Sequence, residues 1–93
     1  MKEKTIEQKL ALAVNTLGGI PVKIMTCNFN GMPDRLILLP GGRLAFVEVK
    51  AHGKHLRPLQ LRRKQQLEAL GFQVYVIDHP DKIGGVLDEI QAP

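Results

Sequence analysis

Tryptophan is absent from this 93-residue chain, and its aromatic rings are confined to Phe29, Phe46, Phe72 and Tyr75, apart from three histidines. A single-strand binder built on stacked bases usually carries more. The lone cysteine, Cys27, excludes an intramolecular disulfide framework and provides no thiolate cluster for zinc. The expectation for it is a half-buried thiol on a strand. No apolar run approaches the ~20 residues needed to cross a bilayer, and Met1-Lys2-Glu3-Lys4-Thr5 is not followed by the apolar stretch of a secretory signal. These absences point to a reducing cytoplasm. Repeats, linkers and low-complexity segments are also missing, so the expectation is a single domain over residues 1–93, with one modest core and one site.

What is present is basic. Thirteen Lys and Arg oppose nine Asp and Glu, a net charge of +4. His55, Arg57, Arg62, Arg63 and Lys64 crowd one short stretch, with Lys50, His52 and Lys54 just upstream. Such a cluster is either a solvated helix face or an approach for a polyanion.

Thr5-Ile6-Glu7-Gln8 has the form of a capping box. Ile6, Leu10, Ala13, Val14 and Leu17 follow at helical spacing, and Gly18-Gly19 ends the pattern. At ~100° per residue, Glu7 lies beside Val14 at the edge of the apolar stripe, where a carboxylate can lean over whatever the helix packs on. Ile20 to Thr26 reads as a strand, with Pro21 favouring an edge. Asn28 to Pro33 is loop. Leu36–Leu39 and Leu44–Val49 form a hairpin around Pro40-Gly41-Gly42. After a polar link, Pro58 opens a second helix reaching about Leu70. Gln60, Lys64, Leu67 and Leu70 fall near one face of it, with Leu59 and Arg63 close by. Val74–Ile77 is a further strand, and Asp81–Ile90 a short helix weakened by Gly84-Gly85. Three sequential strands meander antiparallel. The helix before the last strand makes a crossover, so that strand runs parallel to a neighbour. The fold class is α/β, a mixed four-stranded sheet flanked by helices.

Alternation puts Glu48 and Lys50 on the side of Phe46, and Val47 and Val49 on the other. In the hairpin, Asp34 stands at the start of one strand beside the end of the next, near Glu48 and Lys50. Carboxylates forced together repel unless a cation sits between them. A hard ion such as Mg²⁺ is held in this way, with substrate phosphate and water completing its shell. Lys50 is then placed to orient or deprotonate a nucleophile, or to neutralise developing charge. The alternative is a surface ion pair among Asp34, Glu48 and Lys50 with no metal.

Pro33-Asp34 followed by Glu48-Val49-Lys50 resembles the PD-(D/E)XK nuclease signature. The finer pattern resembles the virus-type replication-repair nuclease (VRR-NUC) domain within it: Glu7 on the first helix, Gly31-Met32-Pro33-Asp34-Arg35, Phe46-Val47-Glu48-Val49-Lys50, and Gln60 opening the next helix. The resemblance runs from Glu7 to about Ile77 and implies a restriction-endonuclease-like αβββαβ core. It implies that Asp34 and Glu48 are metal ligands with the Val49 carbonyl as a third. It makes Lys50 the catalytic lysine, with Glu7 approaching the metal directly or through water. Gln60 would orient Lys50, the attacking water or a phosphate. One departure stands out: many members have Ser-Pro before that Gln, and here it is Arg57-Pro58. Arg is a poor N-cap, so either the helix start is looser or Arg57 reaches a phosphate.

Arg35, Lys54, Arg57 and Lys64 are the candidate nucleic-acid contacts, Arg35 alternatively an ion-pair partner for Glu48. His52 and His55 read as exposed loop residues or phosphate contacts, and His79 has no evident partner. The expected function is a Mg²⁺- or Mn²⁺-dependent DNA endonuclease acting on branched, junction or duplex DNA in replication, repair or recombination. A non-catalytic nucleic-acid-binding module of the same fold and a small partner protein docking an acidic protein are the alternatives. One active site nicks one strand, so paired cutting implies a homodimer. The stand-alone members of the family are small phage or bacterial proteins, which places such a chain in the bacterial host cytoplasm if it is phage-encoded.

Overall fold

Helix α1 (Glu3–Thr16) buries Ile6, Leu10 and Val14, which repeat every fourth residue and so line one face. The computed structural model describes residues 2–25 and 28–93; the expectation for Cys27, and the end of the first strand at Thr26, lie outside them. The capping box at Thr5 does not form. The helix starts three residues earlier than a Thr5 cap would have it, at Glu3, because the extended Lys2 offers its carbonyl to the Thr5 and Ile6 N–H groups. Thr5 is thereby inside the first turn. Leu17 is the C-cap and is 38% exposed rather than packed.

Strands β1 (Ile20–Lys23), β2 (Arg35–Leu39), β3 (Arg43–Val49) and β4 (Val74–Ile77) form one sheet in that order. The first three are antiparallel neighbours and β4 runs parallel to β3, as the crossover requires. β1 is an edge, consistent with Pro21. The β2–β3 turn is a short 3₁₀ segment over Pro40–Gly42, in which Gly41 and Gly42 both take positive φ. Register sets Arg35 opposite Val47, Leu36 opposite Phe46 and Leu38 opposite Leu44.

β3 is the central element and is covered on both faces toward its end. Ala45, Val47 and Val49 point into the main core with Ile37, Leu39 and Ile77, under α1 and helix α3 (Ile83–Gln91). α3 forms despite Gly84-Gly85. Its Ile83, Val86, Leu87 and Ile90 are buried while both glycines face solvent, so packing overrides propensity. Pro80–Lys82 ahead of it is a 3₁₀ turn rather than its first turn. The opposite face carries Phe46, Glu48, Val74 and Val76. Helix α2 (Pro58–Ala69) lies over this end, bringing Gln60 and Lys64 around a crevice with Glu48 and both valines. α2 has no fully buried side chain, and Leu70, expected on its packed face, is 75% exposed. Leu70 is the C-cap, past the last helical turn, and Leu67 is the half-buried residue of that stripe.

Candidate active site

β2 and β3 bring the hairpin charges together. Asp34, immediately before β2, accepts a hydrogen bond at Oδ2 from the Val49 N–H, 2.9 Å away. This bond extends the β2–β3 pairing by a side chain where the backbone ladder stops, and it fixes the Asp34 carboxyl beside the end of β3. Glu48 is 4% exposed. Its Oε2 receives Gln60 Nε2 at 3.1 Å and stands 3.4 Å from Lys50 Nζ. Its Oε1 is buried without a hydrogen-bond partner.

That environment raises the Glu48 carboxyl from its ordinary 4.5 to about 7. Burial is the main cause and the Asp34 charge the second, while the Lys50 ammonium pulls the other way. The residue therefore sits on the edge of ionisation near neutral pH. A cation at Oε1 would remove both the repulsion from Asp34 and the missing partner. In this sense the residues fit the divalent ion that the motif implies, and Asp34 and Glu48 are the pair that would hold it. Among the described residues, no group of three His, Cys, Asp or Glu converges to hold a metal.

Gln60 belongs to the start of α2, where its Oε1 accepts from the Arg57 N–H at 2.9 Å. This is half of a capping box, supplied from the third helical position, so the helix start is secured although Arg57 offers no oxygen. The same amide thus ties the helix start to Glu48, and its contact is with Glu48 rather than with Lys50. Arg57 itself is exposed and, with Asn30, Gly31, Met32, Asp34, Leu59 and Gln60, lines an open cleft of about 420 Å³. The cleft therefore runs from Asp34 to the basic helix start.

The other candidates sit around this centre. Glu7 pairs with Arg35, Oε1 to Nε 3.8 Å, and Arg35 Nη1 donates to the Pro21 carbonyl at 2.9 Å. Arg35 is paired with Glu7, then, and not with Glu48, because its register partner Val47 belongs to the core face of the sheet. Lys64 lines the crevice at Glu48 and pairs with Glu68 at 3.0 Å. Lys54 and His55 are exposed on the link. The His52 ring meets His79 edge to face at 5.6 Å, and His79 accepts at Nδ1 from the Asp81 N–H. This pairing was not legible, since the histidines stand 27 positions apart in the chain with no shared pattern between them. Arg63 reads in the sequence only as a member of the basic cluster; its tie to the Asn30 carbonyl, 33 positions away, has no sequence signal.

A mixed sheet with two acids and a lysine at the end of its central hairpin, crossed by a helix supplying a glutamine, defines a restriction-endonuclease-like nuclease fold. The comparisons carry this to a family. The chain is 44% identical over 81 residues to "Putative nuclease p44" of Acyrthosiphon pisum secondary endosymbiont phage 1, covering 87% of each sequence. It superposes on a solved structure described as a VRR_NUC domain with a TM-score of 0.88 and 28% identity, covering 95% of this chain and 96% of the other. No protein-family model matches it. The chain belongs to the VRR-NUC family of nuclease domains.

Proposed function

We propose that this chain is a divalent-metal-dependent nuclease that hydrolyses DNA phosphodiester bonds at the Asp34–Glu48–Lys50 centre. The observation that carries the reading is the buried, unpartnered Oε1 of Glu48, a carboxyl that also feels the charge of a second acid, Asp34. A surface ion pair would be solvated; here Glu48 is 4% exposed. The nuclease name of the phage relative supports the same reading.

Asp34 and Glu48 would hold Mg²⁺ or Mn²⁺, with the Val49 carbonyl and Glu7 as further candidates. Such an ion polarises the phosphate and acidifies water. The chain's own groups do the rest. The Val49 N–H holds Asp34 in place, and Gln60 holds Glu48. Lys50 Nζ, beside Glu48 Oε2 and only 13% exposed, is the group to orient the attacking water or neutralise charge as the phosphorane develops. Arg57, at the mouth of the cleft, and Lys54 and Lys64 are the cations proposed for the nucleic-acid path, whereas Arg35 is already tied to Glu7 and the Pro21 carbonyl. Among the described residues, no helix is long and apolar enough to cross a membrane.

To the same reading belong a homodimer, action on branched or duplex DNA in replication or repair, and a bacterial host cytoplasm. The motive for the dimer is that one centre per chain cuts one strand. The deciding experiment is cleavage of labelled duplex, flap, fork, four-way junction and single-stranded substrates with Mg²⁺, with Mn²⁺ and with EDTA. Metal-dependent products abolished by EDTA are expected, strongest on a branched substrate, with sedimentation at micromolar concentration showing a dimer. Salt-dependent binding without any cleavage would overturn the enzyme in favour of a non-catalytic binding module.

A further inference from the structure

Helix α2 lacks a fully buried side chain, so polar ties do much of the work of holding it over the site. One tie is Gln60 to Glu48. One turn later, Arg63 reaches the opposite way, to the loop that precedes Asp34. Its Nε donates to the Asn30 carbonyl at 2.7 Å, and its guanidinium lies 3.9 Å from the centroid of the Phe29 ring. Its Nη1 donates to Gln66 Oε1 at 2.9 Å, which steadies the fork on its own helix.

The loop backbone is pressed against the same spot. Gly31 has φ +86°, and a Cβ there would stand 2.8 Å from Leu59 Cγ and 3.0 Å from Arg63 Cγ. Glycine is thus required both by the backbone angle and by the close approach. Pro33 follows, buried and with fixed φ, and then Asp34. From Asn30 to Asp34 the chain has little freedom once its upstream end is tied to α2.

We propose that Arg63 is a positioning residue of the nuclease site. It clamps the Phe29–Gly31 loop to α2 and so sets where the Asp34 carboxylate stands relative to Glu48, which the same helix holds through Gln60. The inference rests on the reading of Asp34 and Glu48 as the metal-binding pair. It also separates Arg63 from its basic neighbours: its Nε, its Nη1 and one flat face are already engaged within the protein, which assigns it to bracing rather than to a phosphate.

The test compares Arg63→Lys and Arg63→Ala with the wild type. Lysine keeps the charge but loses the planar fork. The metal-independent readout is the Val49 amide proton in EDTA, since it reports the hydrogen bond to Asp34. In both variants its hydrogen exchange is expected to quicken by about tenfold, while that of the Phe46 amide, bonded to the Gln73 carbonyl, stays as it was. Mn²⁺ affinity is expected to fall about tenfold in both, as for other residues that orient metal ligands. The salt slope of four-way-junction binding is expected to be unchanged. If Arg63→Ala does not fold, Arg63→Lys and the wild-type Arg63 Nε–H signal decide, the latter remaining unshifted when junction DNA is added. An unchanged Val49 amide overturns the proposal, as does a salt slope lowered by about one in Arg63→Ala with full activity in Arg63→Lys. Wild-type protein that binds no Mn²⁺ sinks the metal reading instead, and leaves the Val49 measurement to judge the clamp.

Discussion

Replacing Glu48 by glutamine should abolish cleavage and make the metal-free protein more stable at pH 8. Folding lifts the Glu48 carboxyl from 4.5 to about 7, so the folded state holds a proton that the unfolded chain has released. Stability from this group is present in full below 4.5 and is lost as pH rises through about 7. Holding the carboxyl at about 7 rather than 4.5 corresponds to about 3 kcal/mol, and at 4% exposure solvent does little to screen it. That figure already includes the attraction of Lys50, which opposes the rise. Glutamine resembles the protonated carboxyl and removes the cost. Its extra amide hydrogens need partners, which takes back about 1 kcal/mol. The expected net gain at pH 8 is about 2 kcal/mol, or about 10 °C in Tm for a domain of this size. Thermal unfolding in EDTA from pH 5 to pH 8 reads it directly. The Glu48→Gln variant should be no more stable than wild type at pH 5, and the gap should open with pH. Adding Mg²⁺ at pH 8 should stabilise the wild type and leave the variant unmoved. A gap that does not change with pH would refute the account of Glu48.

Asp34→Asn removes the like charge but not the burial, so the Glu48 carboxyl should fall from about 7 yet remain above 4.5. Carboxyl ¹³C titration measures it, and cleavage should be lost. Lys50→Arg should fail to restore turnover, about 100-fold or more below wild type at saturating DNA, because a guanidinium cannot act as a base and does not fit the place of a compact ammonium. Gln60→Ala leaves Glu48 with the Lys50 pair alone and unties the Arg57 N–H. It should cost about 1 kcal/mol in urea unfolding and weaken Mn²⁺ binding, as an isothermal titration would show.

The fold was legible where one residue pattern had one physical outcome. Val47 and Val49 against Glu48 and Lys50 could only be opposite faces of a strand, and the Pro40–Gly42 turn fixed the register that brings Asp34 to Val49. Packing and capping were less legible. Thr5 and Gln8 satisfy the capping-box spacing, yet Lys2 begins the helix, since any extended residue with a free carbonyl can do so. Leu70 continues the apolar spacing of α2 but falls beyond its last turn. The ties around Asp34 were hidden for a different reason. Arg63 with Asn30, and Glu7 with Arg35, pair residues 33 and 28 positions apart, and in sequence a charge that braces a loop looks the same as one that waits for a ligand.

Glu48 shows why the site and the core are one problem. β3 needs apolar residues on both faces at its buried end, and Val47 and Val49 provide them on one. On the other, the equivalent position is a carboxylate shut in by Gln60, Lys64, Leu56, Val74 and Val76. A leucine there would fill the space with no polar atom to satisfy, and a buried charge with an empty oxygen is otherwise hard to account for. The same burial that disfavours the bare carboxylate strengthens its attraction for a cation, because little water competes for Oε1. With a proton, Glu48 is tolerated; a cation shared with Asp34 would satisfy it. On the proposed reading the two would compete for one oxygen near neutral pH. Hence metal affinity should fall about tenfold for each pH unit below about 7, through the gain of one proton per Glu48.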